Sequence, residues 1–143
     1  MIAAGIKSGE RIIAMARTSL PRPTDAELEI LRVLWQRGAS TVREVQEALQ
    51  ETKPTGYTTV LKLMQIMTDK GLVRRDERQR AHVYEAQLAQ ELTQRQMVSD
   101  LLERLFDGSA SSLVMQALAT QKTSASELSE IRKILDEVER GRR

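Results

Sequence analysis

The sequence contains no cysteine and one histidine, His82. The absence of cysteine excludes a disulfide framework, a thiolate metal site and a cysteine nucleophile. A single histidine lacks the partners found in the usual zinc sites and Ser-His-Asp triads, and the chain has no phosphate-binding loop. The sequence therefore predicts a protein that is not an enzyme and that holds no metal and no cofactor.

Long apolar runs are also absent. The longest one near the start, residues 12–16, is too short for the hydrophobic region of a signal peptide. It is far shorter than the roughly 20 residues that span a bilayer. We therefore expect a cytoplasmic protein that does not insert into a membrane.

Aromatic residues make up only 3% of the 143 residues, whereas 41% are hydrophobic and 29% are charged. The aliphatic residues recur at helix-compatible spacings, which favours a helix-rich protein over a β-sandwich or barrel. A chain of this length suits one compact domain with an appendage, or two small units.

Charge is distributed unevenly, although the net charge is only +2. Residues 24–52 carry three basic and six acidic side chains, whereas residues 53–82 carry seven basic and three acidic ones. Such a basic stretch is typical of a phosphate-binding surface. The alternative is an ordinary solvated surface.

Three short helices are predicted between residues 24 and 70. Capping boxes at 24–27 and 41–44 begin the first two, which end at Gly38 and about Glu51. Two helix-breaking residues, Pro54 and Gly56, precede the third helix, which begins near Tyr57 and ends before residue 71.

A β-hairpin with a basic tip is predicted next, because the periodicity changes from helical to alternating over residues 72–85. Three helices followed by a hairpin indicate a winged helix-turn-helix domain over residues 24–87, with the hairpin as the wing. The basic residues 1–23 are predicted to form a mobile arm. The fold class is therefore mainly α with a small β-hairpin.

Residues 88–143 are predicted to be wholly helical. Three thin helices of about 50 residues cannot enclose a core of their own, so a second copy of the chain is the simplest partner. This predicts a helical dimerisation domain. The candidate interface residues are Val98, Leu101, Leu102, Leu105, Phe106, Leu113, Val114, Leu128, Ile131, Leu135 and Val138.

The third helix carries the main candidates for contact with double-stranded DNA. Its polar side bears side chains that can bond to base edges or phosphates or contact a thymine methyl group. These candidates are Thr58, Thr59, Leu61, Lys62 and Gln65. The alternative is an exposed helix face with no partner. Tyr57 is a candidate phosphate contact, with core packing as its alternative.

Other candidates flank this helix. Thr41 and Arg43 lie at the start of the second helix, where a phosphate is favoured, although the capping box fully explains Thr41. Lys53 belongs to the basic stretch. The wing candidates for phosphate or minor-groove contact are Arg75, Arg78, Arg80 and His82. Their alternative role is to keep an edge strand soluble.

Four motifs, in this order, resemble the penicillinase and methicillin-resistance repressors, the BlaI/MecI type. They are Thr24-Asp25-Ala26-Glu27-Leu28-Glu29-Ile30-Leu31 with Leu34-Trp35, then Tyr57-Thr58-Thr59-Val60 with Asp69-Lys70-Gly71-Leu72-Val73, then His82-Val83-Tyr84, and Leu105-Phe106-Asp107-Gly108-Ser109. The resemblance covers about residues 23–138.

The resemblance implies a homodimeric transcriptional repressor that binds an inverted-repeat operator and controls β-lactam-responsive antibiotic-resistance genes. It also implies an upstream pathway in which a membrane sensor triggers cleavage of the dimerisation domain at an Asn-Phe pair. Here the only phenylalanine, Phe106, follows Leu105, which departs from that pattern.

A protein-interaction module is the alternative function, with the winged helix as a docking surface and the tail as an assembly device. The modest basic excess is compatible with it. This alternative predicts no sequence-dependent binding to promoter DNA and no effect of Lys62→Glu.

Overall fold

A computed structural model describes residues 20–142 of the chain. Over these residues the chain is mostly helical, with one small antiparallel sheet, which confirms the predicted fold class. The elements are α1 (Asp25–Arg37), β1 (Ser40–Thr41), α2 (Val42–Leu49), α3 (Tyr57–Lys70), β2 (Val73–Asp76), β3 (Val83–Ala86), α4 (Gln90–Leu105), α5 (Ala110–Thr120) and α6 (Ala125–Gly141).

Both predicted capping boxes are present at the starts of α1 and α2. The Thr24 hydroxyl accepts a bond from the Glu27 N–H, and the Glu27 carboxylate accepts one from the Thr24 N–H at 2.9 Å. Thr41 and Glu44 repeat the arrangement at 3.2 and 2.8 Å. These bonds satisfy N–H groups that a helix start otherwise leaves unpaired.

The helix ends agree with the prediction at two of three positions. Gly38 ends α1 with φ 87° and Gly71 ends α3 with φ 82°, conformations that glycine adopts without strain. The predicted end of the second helix near Glu51 is wrong by two residues, because α2 ends at Leu49. The chain turns there, and the Lys53 N–H donates to the Leu49 carbonyl at 2.8 Å.

The sheet has three strands in the order β1-β3-β2, all antiparallel, rather than the hairpin alone. Ser40 and Thr41 pair with Tyr84 and Val83, so the wing and the start of α2 share one sheet. A strand of two residues has no alternation that a sequence pattern can detect.

The core of the winged-helix region lies between α1, α2, α3 and the sheet. Burial of these aliphatic side chains is the main stabilising term. The buried hydrophobic residues are Ile30, Leu31, Val33, Leu34, Val42, Val45, Leu49, Val60, Met64, Met67, Leu72, Val73 and Tyr84. Trp35 packs against this core and donates its indole N–H to the Leu88 carbonyl at 3.0 Å.

A partly buried ion pair links the start of α1 to the end of α3 beside this core. The Glu27 carboxylate is 2% exposed and accepts a bond from Lys70 Nζ at 2.6 Å, which joins the start of α1 to the end of α3. Burial raises the pKa of Glu27, but the bonds from Lys70 and Thr24 lower it by more, so the net pKa lies below its ordinary value. The pair therefore stabilises the fold above about pH 4.5 and loses that contribution as the pH falls through the lowered pKa.

Lys70→Met is expected to destabilise the protein, because the buried Glu27 carboxylate loses its charged partner. Lys70 is one-third exposed, so we expect a loss of about 2 kcal/mol in the free energy of unfolding, below the range for fully buried pairs. Urea unfolding at pH 7 measures it. Lys122→Met, at an exposed loop position, is the control. Equal stability of the two variants would contradict the assignment.

The predicted mobile arm covers residues 1–23, of which residues 1–19 lie outside the described part of the chain. The last residues of that segment are bonded to α4. The Leu20 carbonyl accepts a bond from Gln96 Nε2 at 3.0 Å, and the Arg22 guanidinium pairs with both oxygens of Asp100 at 2.8 and 3.0 Å.

The described part of the chain divides into two compact units, one that ends at Asp100 and one that begins at Leu101. The first contains the winged-helix elements and most of α4. The second contains the end of α4, α5 and α6, and residues 101–142 include no buried side chain. The functional boundary at residue 88 stays a prediction. Over residues 20–142, no helix combines the length and apolar character needed to cross a bilayer.

Candidate nucleic-acid interface

The outward side of α3 presents a row of polar side chains. Thr58, Lys62 and Gln65 are exposed, while Val60 and Met64 on the opposite side are fully buried. Within residues 20–142 none of the three polar side chains has a hydrogen-bond or ion-pair partner. Their donors and acceptors are therefore available to an external ligand.

The neighbouring candidates differ in exposure. Thr59 is exposed, and Tyr57 at the first position of α3 is 46% exposed, which disagrees with core packing as its role. Leu61 packs partly against the core, so only part of its side chain faces outward.

The start of α3 has no side-chain cap. Its N-cap residue is Gly56, and its first turn contains no acidic residue, whereas α1, α2 and α6 each have a hydroxyl cap and an acid there. The backbone N–H groups and the positive end of the helix dipole are thus uncompensated by side chains. This is the arrangement that favours an anion such as a phosphate.

The turn that leads into α3 is held by two glutamines of the preceding helix end. Gln46 Nε2 and Gln50 Nε2 both donate to the Thr55 carbonyl, at 3.3 and 3.1 Å. The Thr55 hydroxyl also donates to the Lys53 carbonyl at 2.8 Å. Sequence reasoning missed these two glutamines, although their spacing of four residues places them on one side of α2.

Three further candidates lie at the two ends of α2, Thr41 and Arg43 at its start and Lys53 in the turn that follows it. Thr41 is engaged in its capping box, in agreement with the N-cap interpretation. Arg43 and Lys53 are exposed, and neither has an ion-pair partner among the described residues. Their charges are therefore uncompensated at short range, as is that of Lys62.

The wing arginines are largely paired with acids of the same hairpin. Asp76 accepts bonds from the Arg78 guanidinium at 2.7–3.1 Å and from its backbone N–H at 3.0 Å. These bonds lower the pKa of Asp76 to about 2, so the carboxylate stays ionised at neutral pH. Arg75 pairs with Glu77 at 3.0 Å, and His82 Nε2 lies 3.9 Å from the same carboxylate.

The sequence predicts a basic tip for the wing, but it does not predict that acidic side chains of the same hairpin pair with the arginines. Arg74 also pairs with Glu85 across β2 and β3. Of the wing arginines described, only Arg80 has no acidic partner, and it is exposed. The wing therefore presents less free positive charge than its arginine count indicates.

The dimerisation candidates lie on all three helices of the tail. Those on α4 are partly or mostly exposed, and Leu105 is 68% exposed. On α6, Leu135 and Val138 are 61% and 51% exposed, and neither α5 nor α6 has a buried residue. Among residues 20–142 no cluster of three His, Asp or Glu side chains is placed to hold a metal ion.

Comparison with known proteins gives one matching family model, described as penicillinase repressor, over residues 23–137. The chain is 25% identical over 118 residues to the penicillinase repressor of Bacillus licheniformis, covering 82% of this chain and 92% of that protein. It is 32% identical over 124 residues to the transcriptional regulator BlaI of Mycobacterium tuberculosis, covering 85% and 88%.

One similar solved structure is that of the monomeric form of Bacillus licheniformis BlaI in complex with the blaP half-operator. It shares 24% identity and a TM-score of 0.46, and covers 52% of this chain and 90% of that one.

The matched region extends over all the described elements from α1 to most of α6. The family consists of transcriptional repressors and not of enzymes, which confirms that expectation from the sequence. The chain belongs to the penicillinase repressor family of transcriptional regulators.

Proposed function

We propose that the chain is a homodimeric repressor that binds an inverted-repeat operator in double-stranded DNA. The observation that carries the proposal is the outward side of α3, where Thr58, Lys62 and Gln65 are exposed and have no partners within residues 20–142. Threonine, lysine and glutamine are side chains that bond to base edges and phosphates.

The electrostatics around α3 support the same role. The uncapped helix start and the unpaired cations Arg43, Lys53 and Lys62 all belong to the helix-turn-helix segment. In this proposal Tyr57 and these cations contact phosphates, whereas Thr58, Thr59, Leu61 and Gln65 lie near base edges. The DNA backbone beside the wing is contacted by Arg75, Arg78, Arg80 and His82.

Dimerisation is supported by residues 101–142, which include no buried residue and expose a row of aliphatic side chains. Helices of this kind become stable by packing on a second surface, and a two-fold pair is the commonest solution. Two copies of α3 then enter successive major grooves about 34 Å apart.

The names of the relatives support a proposal about the regulated genes. Because the matching family model and the Bacillus licheniformis relative are both described as penicillinase repressor, we propose that the targets include β-lactam-responsive genes, with a sensor-protease pathway upstream. Leu105-Phe106 lies at the end of α4, before a turn in which Asp107 has a φ of 53°. This pair departs from the Asn-Phe cleavage pattern, so any cleavage follows a different local sequence.

Footprinting the purified protein on the promoter of its own gene tests the proposal directly. We expect protection of a site with two-fold symmetry and a log-log salt slope of the binding constant of about −5 to −9, for three to five phosphates neutralised per subunit. Binding with a slope near zero would overturn the proposal, and so would the absence of protection. That result is the one predicted by the interaction-module alternative.

Asp76→Asn is expected to strengthen DNA binding. The substitution removes the charge that compensates Arg78, while the new amide oxygen still accepts the Arg78 backbone N–H. Affinity at low salt is expected to rise about threefold to tenfold, and the salt slope to become steeper by about one per subunit. Fluorescence anisotropy with the footprinted duplex measures both quantities.

Glu137→Gln is the matched control for this prediction. It removes the same charge from an exposed position on α6, where Glu137 has no partner among the described residues. If the two variants bind alike, the wing acids do not oppose DNA contact and the wing lies away from the duplex.

A further inference from the structure

The two glutamines of the helix-turn-helix segment both donate to one backbone group, the Thr55 carbonyl, and Gln50 Nε2 also donates to the Gln46 carbonyl at 3.5 Å. Gln46 lies within α2 and Gln50 directly follows its last residue, and their amide groups donate to this carbonyl at 3.3 and 3.1 Å. We name the arrangement of Gln46, Gln50 and Thr55 the Thr55 clamp. It joins α2 to the peptide that immediately precedes the N-cap of α3.

The position of the clamp matters because few other polar contacts fix this turn. Gly56 lacks a side chain, so the start of α3 has no capping bond that would set its direction. The backbone bonds of the turn end at Lys53, whose N–H donates to Leu49. Between Lys53 and the first bond of α3, from Val60 N–H to the Gly56 carbonyl at 3.1 Å, the clamp supplies the link to α2.

We infer that Gln46 and Gln50 are positioning residues for DNA recognition, which set the direction of the first turn of α3 through the Thr55 carbonyl. The inference rests on the proposed function, since it concerns the helix that enters the major groove. Base contacts depend on the direction of that turn, because hydrogen bonds weaken steeply with misalignment. Phosphate contacts by flexible lysines depend on it much less.

Replacing both amides by isosteric methionines tests the inference. Gln46→Met/Gln50→Met removes both bonds to Thr55 without changing the charge of the protein. The probes are the duplex footprinted on the promoter of the chain's own gene and poly(dI-dC) as non-specific DNA. Each of the single variants retains one bond, so they remain informative if the double variant folds poorly.

We expect about tenfold weaker binding to the footprinted duplex for the double variant, and smaller losses for each single variant. Binding to poly(dI-dC) should change far less and the salt slope should stay as in the unaltered protein, because the flexible side chains of Arg43, Lys53 and Lys62 retain their phosphate contacts. Gln36→Met is the control, since Gln36 is exposed on α1 and has no partner among the described residues. It should bind both DNAs normally.

Three results would overturn the inference. Equal losses on both DNAs with a shallower slope would mean that the amides contact phosphates themselves. A lower melting temperature with unchanged discrimination between the two DNAs, measured well below melting, would mean a purely structural role. Unchanged behaviour in every assay would mean that the clamp has no role. If the unaltered protein protects no promoter site, the proposed function itself fails, which is distinct from all three.

Discussion

Replacing Leu135 by glutamate is expected to give a monomer that binds the operator about 100-fold more weakly than the unaltered protein. Leu135 is 61% exposed on α6, in a unit without a buried side chain over residues 101–142. In the proposed dimer a charge at this position is buried without a partner, which strongly opposes association. Each half-site then binds one winged-helix domain alone, and the gain from linked binding is lost.

Analytical ultracentrifugation at micromolar concentration measures the first effect and a mobility shift the second. Ser129→Glu adds the same charge to α6 about 120° around the helix from Leu135 and serves as the control, because Ser129 is exposed. A Leu135→Glu protein that remains dimeric would show that the interface lies elsewhere on the tail. Leu102→Glu on α4 then distinguishes a different interface from the absence of one.

Reversing the charge of Lys62 is expected to reduce operator affinity about 100-fold. The side chain is exposed near the middle of the outward side of α3 and has no acidic partner among the described residues. A loss of about 1.4 kcal/mol in each of two half-sites corresponds to this factor. Lys62→Glu should leave the melting temperature unchanged, because surface charges away from ion pairs contribute little to stability.

Lys122→Glu is the matched control for this prediction. It makes the same charge change at an exposed position between α5 and α6. Comparing the two separates a local contact from a general effect of net charge. An unaffected Lys62→Glu protein would favour the interaction-module alternative, since that alternative predicts indifference to this change.

The winged-helix elements could be predicted from the sequence because their boundaries are local. The capping boxes at Thr24 and Thr41 and the glycines at 38 and 71 each fix a helix end through bonds or backbone angles within a few residues. The buried side of α3 likewise follows from its spacing. Family-level motifs indicated the same fold, and the family match confirms the resemblance.

Long-range features of the candidate site could not be predicted in this way. The pairing of Ser40 with Tyr84 joins residues far apart in sequence, and neither carries a pattern that indicates it. The same holds for the bond between Trp35 and the Leu88 carbonyl. These contacts depend on how the elements pack, which a single sequence does not encode locally.

The ion pairs on the wing could not be predicted from the sequence for a different reason. Asp76 and Glu77 stand beside the arginines in the sequence, yet counting charges gives only a total and not which side chains pair. The geometry shows Arg75 and Arg78 held by these acids, whereas Lys62 remains unpaired among the described residues. Among the described residues 24–87 the unpaired cations are therefore Arg80 on the hairpin and Arg43, Lys53 and Lys62 on the helix-turn-helix segment.

The two-residue strand β1 has a consequence for building chimaeras of such regulators. Ser40 and Thr41 pair with β3 just before α2 begins. A hairpin transplanted from a relative would therefore pair with a strand β1 of different sequence, unless residues 40–41 are transplanted together with it. A graft of residues 72–87 alone would disturb the ladder beside the Thr41 cap. The exchangeable cassette in this fold is thus discontinuous in sequence, comprising residues 40–41 together with the hairpin.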